Sequence, residues 1–312
     1  MSLSTIPVVL FAYQRPGHLR RTLDCLRANT VPLLIIYCDG QKDPKDEERV
    51  NEVRRIVRGI DWCPVRIVER EQNLGLGVSI RTGVSDVMAE FGAVIVFEDD
   101  IDCVPGTYAY MAAALRHYED DSRVMSVTGF VHPDVRPSIP ADQPYFDGRF
   151  TCWGWGTWAR AWQGMEMPAA ELLRECRRQG MDLYRYGIDM VIWAKNEKKQ
   201  NIWAVRFGLL HYLRGGLNFH PPHSLTNHAG FDQSTTSTGY PDAWQVPVLQ
   251  PCPSLPNPWP EPFEHPDSPG LYREKCGAYV SLPGRVKTVF MIARWRLGAV
   301  VRLVLTRLGI LK

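Results

Sequence analysis

The sequence of 312 residues lacks the short motifs that identify several common enzyme classes. It contains no GxxxxGK[ST] phosphate loop, no GxSxG nucleophile turn and no HExxH zinc motif. These absences argue against a P-loop nucleotidase, a serine hydrolase with a nucleophile elbow and a zinc protease. The stretch NLGLGVSIRTG is rich in glycine, but its glycines are spaced wrongly for the GxGxxG dinucleotide fingerprint.

Paired cysteines are also missing. The eight cysteines are scattered, and no two of them form a CxxC pair. The spacing of a structural zinc site is therefore absent. Several cysteines lie in apolar segments and read as small core residues, which favours a reducing compartment.

Long apolar runs are lacking too. No window reaches the roughly eighteen uninterrupted apolar residues that a spanning helix needs. The N-terminal stretch IPVVLFAY ends at once in Gln14, Arg15 and Pro16, so no signal peptide is predicted. The net charge is only +2. We expect a cytoplasmic protein without a nucleic-acid partner, and the oligomeric state stays open.

The first hundred residues do contain a regular alternation of strand-like and helix-like segments. Short apolar runs at 6–13, 33–37, 65–68 and 93–97 are separated by amphipathic or capped helical patterns. Such alternation predicts an α/β fold, with a mostly parallel sheet flanked by helices. This is the Rossmann-like architecture that commonly binds nucleotides.

The fourth of these strands runs directly into a group of carboxylates. The stretch FGAVIVFEDDIDCV at 91–104 places Glu98, Asp99, Asp100 and Asp102 after a β-branched apolar run. Unpaired charge is costly to bury, so these acids must leave the core at the carboxyl end of the strand. Ligands bind at that edge in open α/β sheets, and clustered oxygen ligands suit Mg²⁺ or Mn²⁺. The alternative is a solvated acidic turn.

Other strand ends should meet the acids at the same edge. Ala12 and Tyr13 follow the first strand, where an aromatic ring can stack on a nucleobase. Asp39 follows the second strand and can accept from a base N–H or a ribose hydroxyl. Asn73 and Gly75 open the next helix, where glycine permits close approach of a ligand. We therefore assign a nucleotide donor to this edge, in contact with Ala12, Tyr13, Asp39, Asn73, Gly75, Arg81, Glu98, Asp99 and Asp100.

The succession FAYQRP, YCDG, EQNLGLGVSIRTG and IVFEDDID resembles the GT-A class of nucleotide-sugar glycosyltransferases. It is most similar to bacterial family-2-like enzymes with an EDD motif, the form also seen in animal N-acetylglucosaminyltransferase I. CWGWGTW and SLTNHAGFD resemble later segments of that class. The resemblance covers residues 6 to about 240, which we divide into a donor half at 1–104 and an acceptor half at 105–240.

The resemblance implies a metal-dependent transfer from a nucleoside diphosphate sugar, with UDP favoured and with inversion. In that class the acidic motif holds a divalent cation on the donor diphosphate. We expect Asp100 to hold this cation, with Asp102 or Glu98 beside it. The family histidine is absent from the stretch QSTTST at 233–238, and His228 is the substitute.

The second half should supply an acceptor site and a base. An inverting reaction needs a carboxylate to deprotonate the acceptor hydroxyl. The candidates are Asp182, Asp189 and Asp232, although Asp189 also reads as a helix cap. Trp153, Trp155 and Trp158 flank two glycines and could present indoles to a glycan; the alternative is a tryptophan-rich core patch.

The C-terminal region has a different composition. Residues 241–269 contain ten prolines, so we expect an extended strap or linker over 241–284. Residues 285–312 are apolar and basic without a single acid, which favours a helix lying on an anionic membrane surface over a protein-docking helix. We therefore expect the enzyme on the cytoplasmic face of the membrane, acting on a glycan or lipid-linked acceptor.

Two rival functions remain. A sugar nucleotidylyltransferase shares the alternating fold and the metal chemistry, but it should carry a glycine-rich basic loop after the first strand. A catalytically inactive relative could instead bind glycans or tether partners at the membrane.

Overall fold

The structure is a computed structural model that describes residues 5–230, 246, 248–278, 290 and 297. Asp232 and nearly all of the predicted membrane helix at 285–312 lie outside the described residues. In the part of the chain that is described, no helix is long and apolar enough to span a membrane.

The centre of the molecule is a mixed eight-stranded sheet in the order β3-β2-β1-β4-β8-β6-β9-β7. Within it, β1 to β4 are mutually parallel, and β8 runs antiparallel to both of its neighbours. A separate two-stranded sheet pairs β10 with β5. The strands are β1 Val8–Ala12, β2 Leu34–Cys38, β3 Val65–Glu69, β4 Ala93–Glu98, β5 Ile101–Cys103, β6 Val124–Thr128, β7 Tyr145–Asp147, β8 Trp155–Trp158, β9 Leu217–His220 and β10 Thr226–His228.

Helices cover both faces of the sheet, which confirms the predicted α/β class and its Rossmann-like, largely parallel arrangement. The helices are α1 Pro16–Ala28, α2 Glu47–Arg58, α3 Leu76–Phe91, α4 Thr107–His117, α5 Ala159–Trp162, α6 Ala169–Arg178, α7 Asp189–Gln200, α8 Ala204–Arg214 and α9 Ser268–Ala278, with a short 3₁₀ turn at Pro44–Asp46 before α2.

Alternation along β1 explains the two-layered core. Val9 and Phe11 face a cluster that includes Ile80 of α3, whereas Val8 and Leu10 face a cluster that includes α1 and α4. Successive side chains of a strand point to opposite faces, so a strand covered on both faces reads as continuously apolar. This burial fixes β1 and β4 side by side and brings their carboxyl ends to one edge.

The Trp-rich segment forms a central strand rather than a surface loop. Trp155–Trp158 is β8, which lies between β4 and β6. Gly156 fits there because a Cβ would lie 2.9 Å from Leu115 and 3.0 Å from the carbonyl oxygen of Val94. The segment that precedes β8 contributes the edge strand β7.

The described part of the Pro-rich region runs along the sheet as a strap. Glu264 forms an isolated parallel bridge with Phe146 of β7, and its carboxylate accepts from Tyr186 Oη at 2.5 Å. Beyond it, α9 is held by Tyr272, whose hydroxyl donates to Asp147 at 2.9 Å.

Candidate active site

The acidic cluster lies at the carboxyl end of β4, where two of its members are paired with Arg15, which stands between β1 and α1. Asp99 and Asp100 are 2% and 3% exposed. Arg15 Nη1 lies 2.6 Å from Asp100 Oδ2, and its Nη2 binds Asp99 Oδ1. The Tyr13 amide also donates to Asp99 at 3.2 Å. The ends of β1 and β4 thus form one ion-paired edge.

Burial disfavours the charged forms of the first two acids. It raises the pKa of Glu98 to about 8, with a further contribution from the Asp100 charge. It raises the pKa of Asp99 to about 6, although Arg15 opposes the shift. More negative charge is gathered here than one arginine compensates, so added positive charge would favour the ionised carboxylates.

Two of the three predicted metal ligands come together. His228 Nε2 lies 3.2 Å from Asp100 Oδ2, because β10 pairs with β5 and brings its last residue beside the acids. Asp100 Oδ1 is buried and has no hydrogen-bond partner, so this oxygen has lone pairs available to coordinate a cation. Burial lowers the pKa of His228, which keeps the imidazole in its neutral, ligating form.

Asp102 takes a different partner. Its Oδ2 binds Arg21 of α1, and its Oδ1 is buried without a partner. Among the described residues, no group of three or more histidine, cysteine or carboxylate side chains is arranged to hold a metal. Asp100 and His228 would therefore supply at most two protein ligands to a cation, whose other positions would be filled by donor oxygens or water.

The structure brings together Asp39, Asn73 and Gly75 at this edge. Their polar groups form hydrogen bonds within the protein. Asp39 accepts from the amides of Leu74 at 2.9 Å and Gly75 at 3.0 Å, and it is 5% exposed. Asn73 donates to the carbonyl of Gly40 at 2.8 Å. The Asp39 carboxylate thus fixes the loop that leads into α3, which limits what it can offer a base or ribose.

Ala12 and Tyr13 also lie at this edge. Ala12 is buried, and its carbonyl accepts from the amide of Asp39 at 3.0 Å. The Tyr13 hydroxyl donates to Asp46 Oδ2 at 2.9 Å. Burial, with this hydrogen bond, raises the pKa of Tyr13 to about 12. The hydroxyl of Tyr13 is therefore tied to the 3₁₀ turn before α2, whereas its amide is bound to Asp99.

Arg81 is influenced by the second half of the chain. Burial lowers the pKa of Arg81, the Arg206 charge adds to this effect, and Glu197 opposes it. Arg206 and Glu197 themselves form an ion pair between α8 and α7. Arg81 thus lies within the electrostatic range of that pair.

The three tryptophans separate into one ring near the acids and two core residues. Trp153 is partly exposed, and its ring lies 4.9 Å from that of His228. Trp155 is fully buried, with its ring 5.0 Å from that of Trp203. Trp158 is 3% exposed and donates to the Leu115 carbonyl. The predicted acceptor contacts of Trp155 and Trp158 are therefore corrected: strand pairing buries both rings in the core.

The base candidates are not gathered beside the acids by any contact of the described residues. Asp189, 4% exposed, begins α7 and forms a bidentate ion pair with Arg149, with N–O distances of 3.1 and 2.5 Å. Asp182 accepts from the amide of Tyr184 at 3.1 Å, and its own carbonyl accepts from Tyr212. Asp232 lies outside the described residues.

Sequence reasoning missed Arg15, Arg21 of α1 and the residue that follows α7. Arg15 stands in the short connection between β1, which ends at Ala12, and α1, so it had to emerge at the same edge as the acids. Arg21 gave no comparable signal. Asn201, which caps α3, lies far from that helix in sequence and could not have been found from local patterns.

Residues 8–158 match the family model of glycosyl transferase family 2. A search of curated proteins returns no match. Among solved structures, the mannosyltransferase PcManGT from Pyrobaculum calidifontis in complex with GDP-Man and Mn²⁺ is similar, with 16% identity over 55% of this chain and 46% of that one and a TM-score of 0.37. GalNAc-T7 with UDP, GalNAc and Mn²⁺ shows 12% identity over 72% and 44%, with a TM-score of 0.45.

A 4-diphosphocytidyl-2C-methyl-D-erythritolsynthase from Anaerococcus prevotii shows 13% identity over 49% of this chain and 70% of that one, with a TM-score of 0.33. This chain matches less than half the length of the first two proteins. The family match, which spans just under half of this chain, is the finding that bears on function. It supports the predicted enzyme class, a glycosyltransferase.

Proposed function

We propose, from the match of residues 8–158 to glycosyl transferase family 2, that the protein moves a sugar from a nucleoside diphosphate donor to a glycan or lipid-linked acceptor. One observation carries the assignment of the site: buried Asp100, at the carboxyl end of β4, has one oxygen 3.2 Å from His228 and another without a partner. UDP is the first choice of nucleotide, and inversion is the expected outcome. The likeness of the EDD stretch to N-acetylglucosaminyltransferase I is part of this proposal.

Asp100 and His228 would hold a divalent cation, Mn²⁺ or Mg²⁺, against the donor diphosphate. Bound there, the cation would neutralise charge that builds on the diphosphate as it leaves. Arg15 is paired with the carboxylate of Asp100, so its guanidinium would be placed to bind a phosphate oxygen of the donor. Tyr13 and the loop fixed by Asp39 would shape the neighbouring nucleotide position.

The acceptor side is a proposal of a different kind. Trp153 is the ring next to His228 and would border the acceptor sugar. Asp182, Asp189 and Asp232 remain the candidate bases, and the bidentate pairing of Asp189 with Arg149 favours a structural role for that residue.

The cellular role extends this proposal to bacterial surface polysaccharide or lipopolysaccharide assembly on the cytoplasmic face of the membrane. The support is the basic, acid-free composition of residues 285–312. Cosedimentation with anionic and neutral vesicles, with and without these residues, tests it. Equal binding to both lipids, or binding unaffected by the deletion, would contradict it.

The function itself is tested by thermal shift with UDP-, GDP- and CDP-sugars, each with Mn²⁺, Mg²⁺ or EDTA. A ligand that binds only the folded state raises its apparent stability. We expect stabilisation by one nucleotide class that requires the cation, and slow donor hydrolysis in the same mixture. Asp100→Asn should remove both, whereas Asp24→Asn, on the exposed face of α1, should remove neither.

Three results would redirect the assignment. Absence of any nucleotide effect in the wild type would refute a donor site. Binding without hydrolysis or transfer would favour the inactive, glycan-binding alternative. Release of pyrophosphate from a nucleoside triphosphate and a sugar 1-phosphate would favour the nucleotidylyltransferase.

A further inference from the structure

The first turn of α3 is capped by a residue from the end of α7. Helix α3 begins after Gly75, which has no side chain to cap it. The side-chain amide of Asn201 lies at this end, and its oxygen accepts from the amides of Leu76 at 3.1 Å and Gly77 at 3.3 Å. This orientation is assigned from the partners, since the reverse would point the NH₂ group at two donors.

Four consecutive amides of this loop are therefore bound by two side chains. Those of Leu74 and Gly75 donate to Asp39, which follows β2. Those of Leu76 and Gly77 donate to Asn201, more than a hundred residues later. The first amides of a helix have no partner within the helix, so each must be satisfied from outside.

Close approach explains both glycines. A Cβ on Gly75 or on Gly77 would lie 2.5 Å from a polar atom of the Asn201 side-chain amide, and one on Gly77 would also lie 2.7 Å from the backbone oxygen of the same asparagine. Gly75 also has a φ of +72°. Asn201 itself adopts φ +52°, the left-handed conformation that asparagine tolerates at a helix C-terminus.

Helix α7 connects this cap to the interior of the second half. It runs for 12 residues, or roughly 18 Å, from Asp189 to Gln200. Its first residue is fixed by the ion pair with Arg149. Because both ends of α7 are held, the position of Asn201 is set by the packing of the second half of the chain.

We infer that Asn201 is a positioning residue that holds the loop 73–77 in the shape required at the donor edge. The inference rests on the proposed function for its effect on donor binding. The cap itself does not depend on that function. Asp39 fixes the first two amides from the nucleotide side, and Asn201 fixes the next two from the acceptor side.

The test compares Asn201→Gly, Asn201→Asp and Asn196→Ala in the full chain. Glycine removes the cap but suits the left-handed backbone, so the end of α7 is preserved. Aspartate keeps an acceptor at the positive end of α3. Asn196 lies in the same helix and donates to the Ile192 carbonyl, so its variant serves as the matched control.

Amide hydrogen exchange by NMR is the readout that does not involve activity. In Asn201→Gly, exchange at Leu76 and Gly77 should be roughly five- to tenfold faster, as expected for a lost helix cap. Asn201→Asp and Asn196→Ala should exchange as the wild type does. Unchanged exchange in Asn201→Gly would overturn the cap.

Nucleotide titration with Mn²⁺ then tests the positioning role. Asn201→Gly should weaken the binding of the nucleotide diphosphate about tenfold, as expected when loss of an orienting partner costs 10–100-fold, and Asn201→Asp should restore it. Faster exchange with unchanged affinity would reduce Asn201 to a structural residue and overturn the inference. A wild type that binds no nucleotide while the exchange difference persists would refute the proposed function and the donor role, but not the cap.

Discussion

Two groups of carboxylates, one at the sheet edge and one in the interior, show how differently the same residue type is used in this fold. At the sheet edge, Asp100 and Asp102 each have one oxygen bound to an arginine and one buried oxygen without a partner. In the interior of the second half, both oxygens of Asp147 and both of Asp189 are bound.

The partners differ as much as the number of bonds. Asp147 is fully buried and accepts from Tyr272 and from the Arg149 amide, and it lies 2.9 Å from His220. Asp189 is held by two guanidinium nitrogens of the same arginine. A buried carboxylate with every partner supplied by the protein is typical of structure, whereas one with a spare oxygen at a strand end can accept a ligand.

The largest effect is expected from breaking the interior pair. Arg149→Met leaves Asp189 buried without its counterion, and we expect a loss of about 3–5 kcal/mol in the free energy of unfolding. Urea denaturation at neutral pH measures it. The double variant Arg149→Met with Asp189→Leu should lose less, because no isolated charge remains. The comparison would fail if Asp189→Asn unfolded like the wild type yet abolished transfer, since Asp189 would then be the base.

A smaller loss of stability is expected on acidification, because the buried side chain of His211 takes up a proton more readily in the unfolded chain. Burial lowers the pKa of His211 from 6.5 to about 4, and its ring contacts Ser126 Oγ and the Phe207 carbonyl, both at 2.8 Å. The unfolded chain binds the proton first, so stability is full above pH 6.5 and falls as the pH drops towards 4. The contribution lost is on the order of 3 kcal/mol.

Urea titrations between pH 7 and pH 4 measure this dependence. His211→Gln should be less stable at pH 7 but should show a shallower decline on acidification. An equal decline in both proteins would mean that the carboxylates alone account for the loss.

The smallest effect is expected at the sheet edge. Arg21 is 60% exposed where it meets Asp102, so Arg21→Gln should change the free energy of unfolding by less than about 1 kcal/mol. Arg66→Gln, which breaks the exposed ion pair with Glu90, is the matched control and should change the free energy of unfolding by a similar amount. A loss as large as that of Arg149→Met would mean that the two groups of acids do not differ in structural role.

The sequence was most informative where local pattern and burial agree. The first four strands lie within about two residues of the predicted runs, because strands covered on both faces are continuously apolar. The position of the acids at the edge, after β4, could be predicted from the free-energy cost of burying charge alone.

The sequence was least informative where the position of a residue depends on pairing between strands that are far apart in the chain. β8 contains glycine and alternates with small residues, so it gave no strand signal, and antiparallel pairing with β4 and β6 buried Trp155 and Trp158. His228 reaches Asp100 only through the pairing of β10 with β5. Gly75 was expected to permit the close approach of a ligand, and the structure shows the side chain of Asn201 there.

The strap also bears on how the sheet avoids association with other chains. An edge strand exposes unpaired backbone groups that invite a neighbouring molecule. At one end of the sheet, β3 carries Arg66 and Glu69, whose charges discourage strand pairing with another molecule. At the other end, the strap bridges to Phe146 of β7 and occupies that side itself. A chain truncated before residue 248 would expose β7, so the strap contributes to keeping the protein from self-assembly through its sheet.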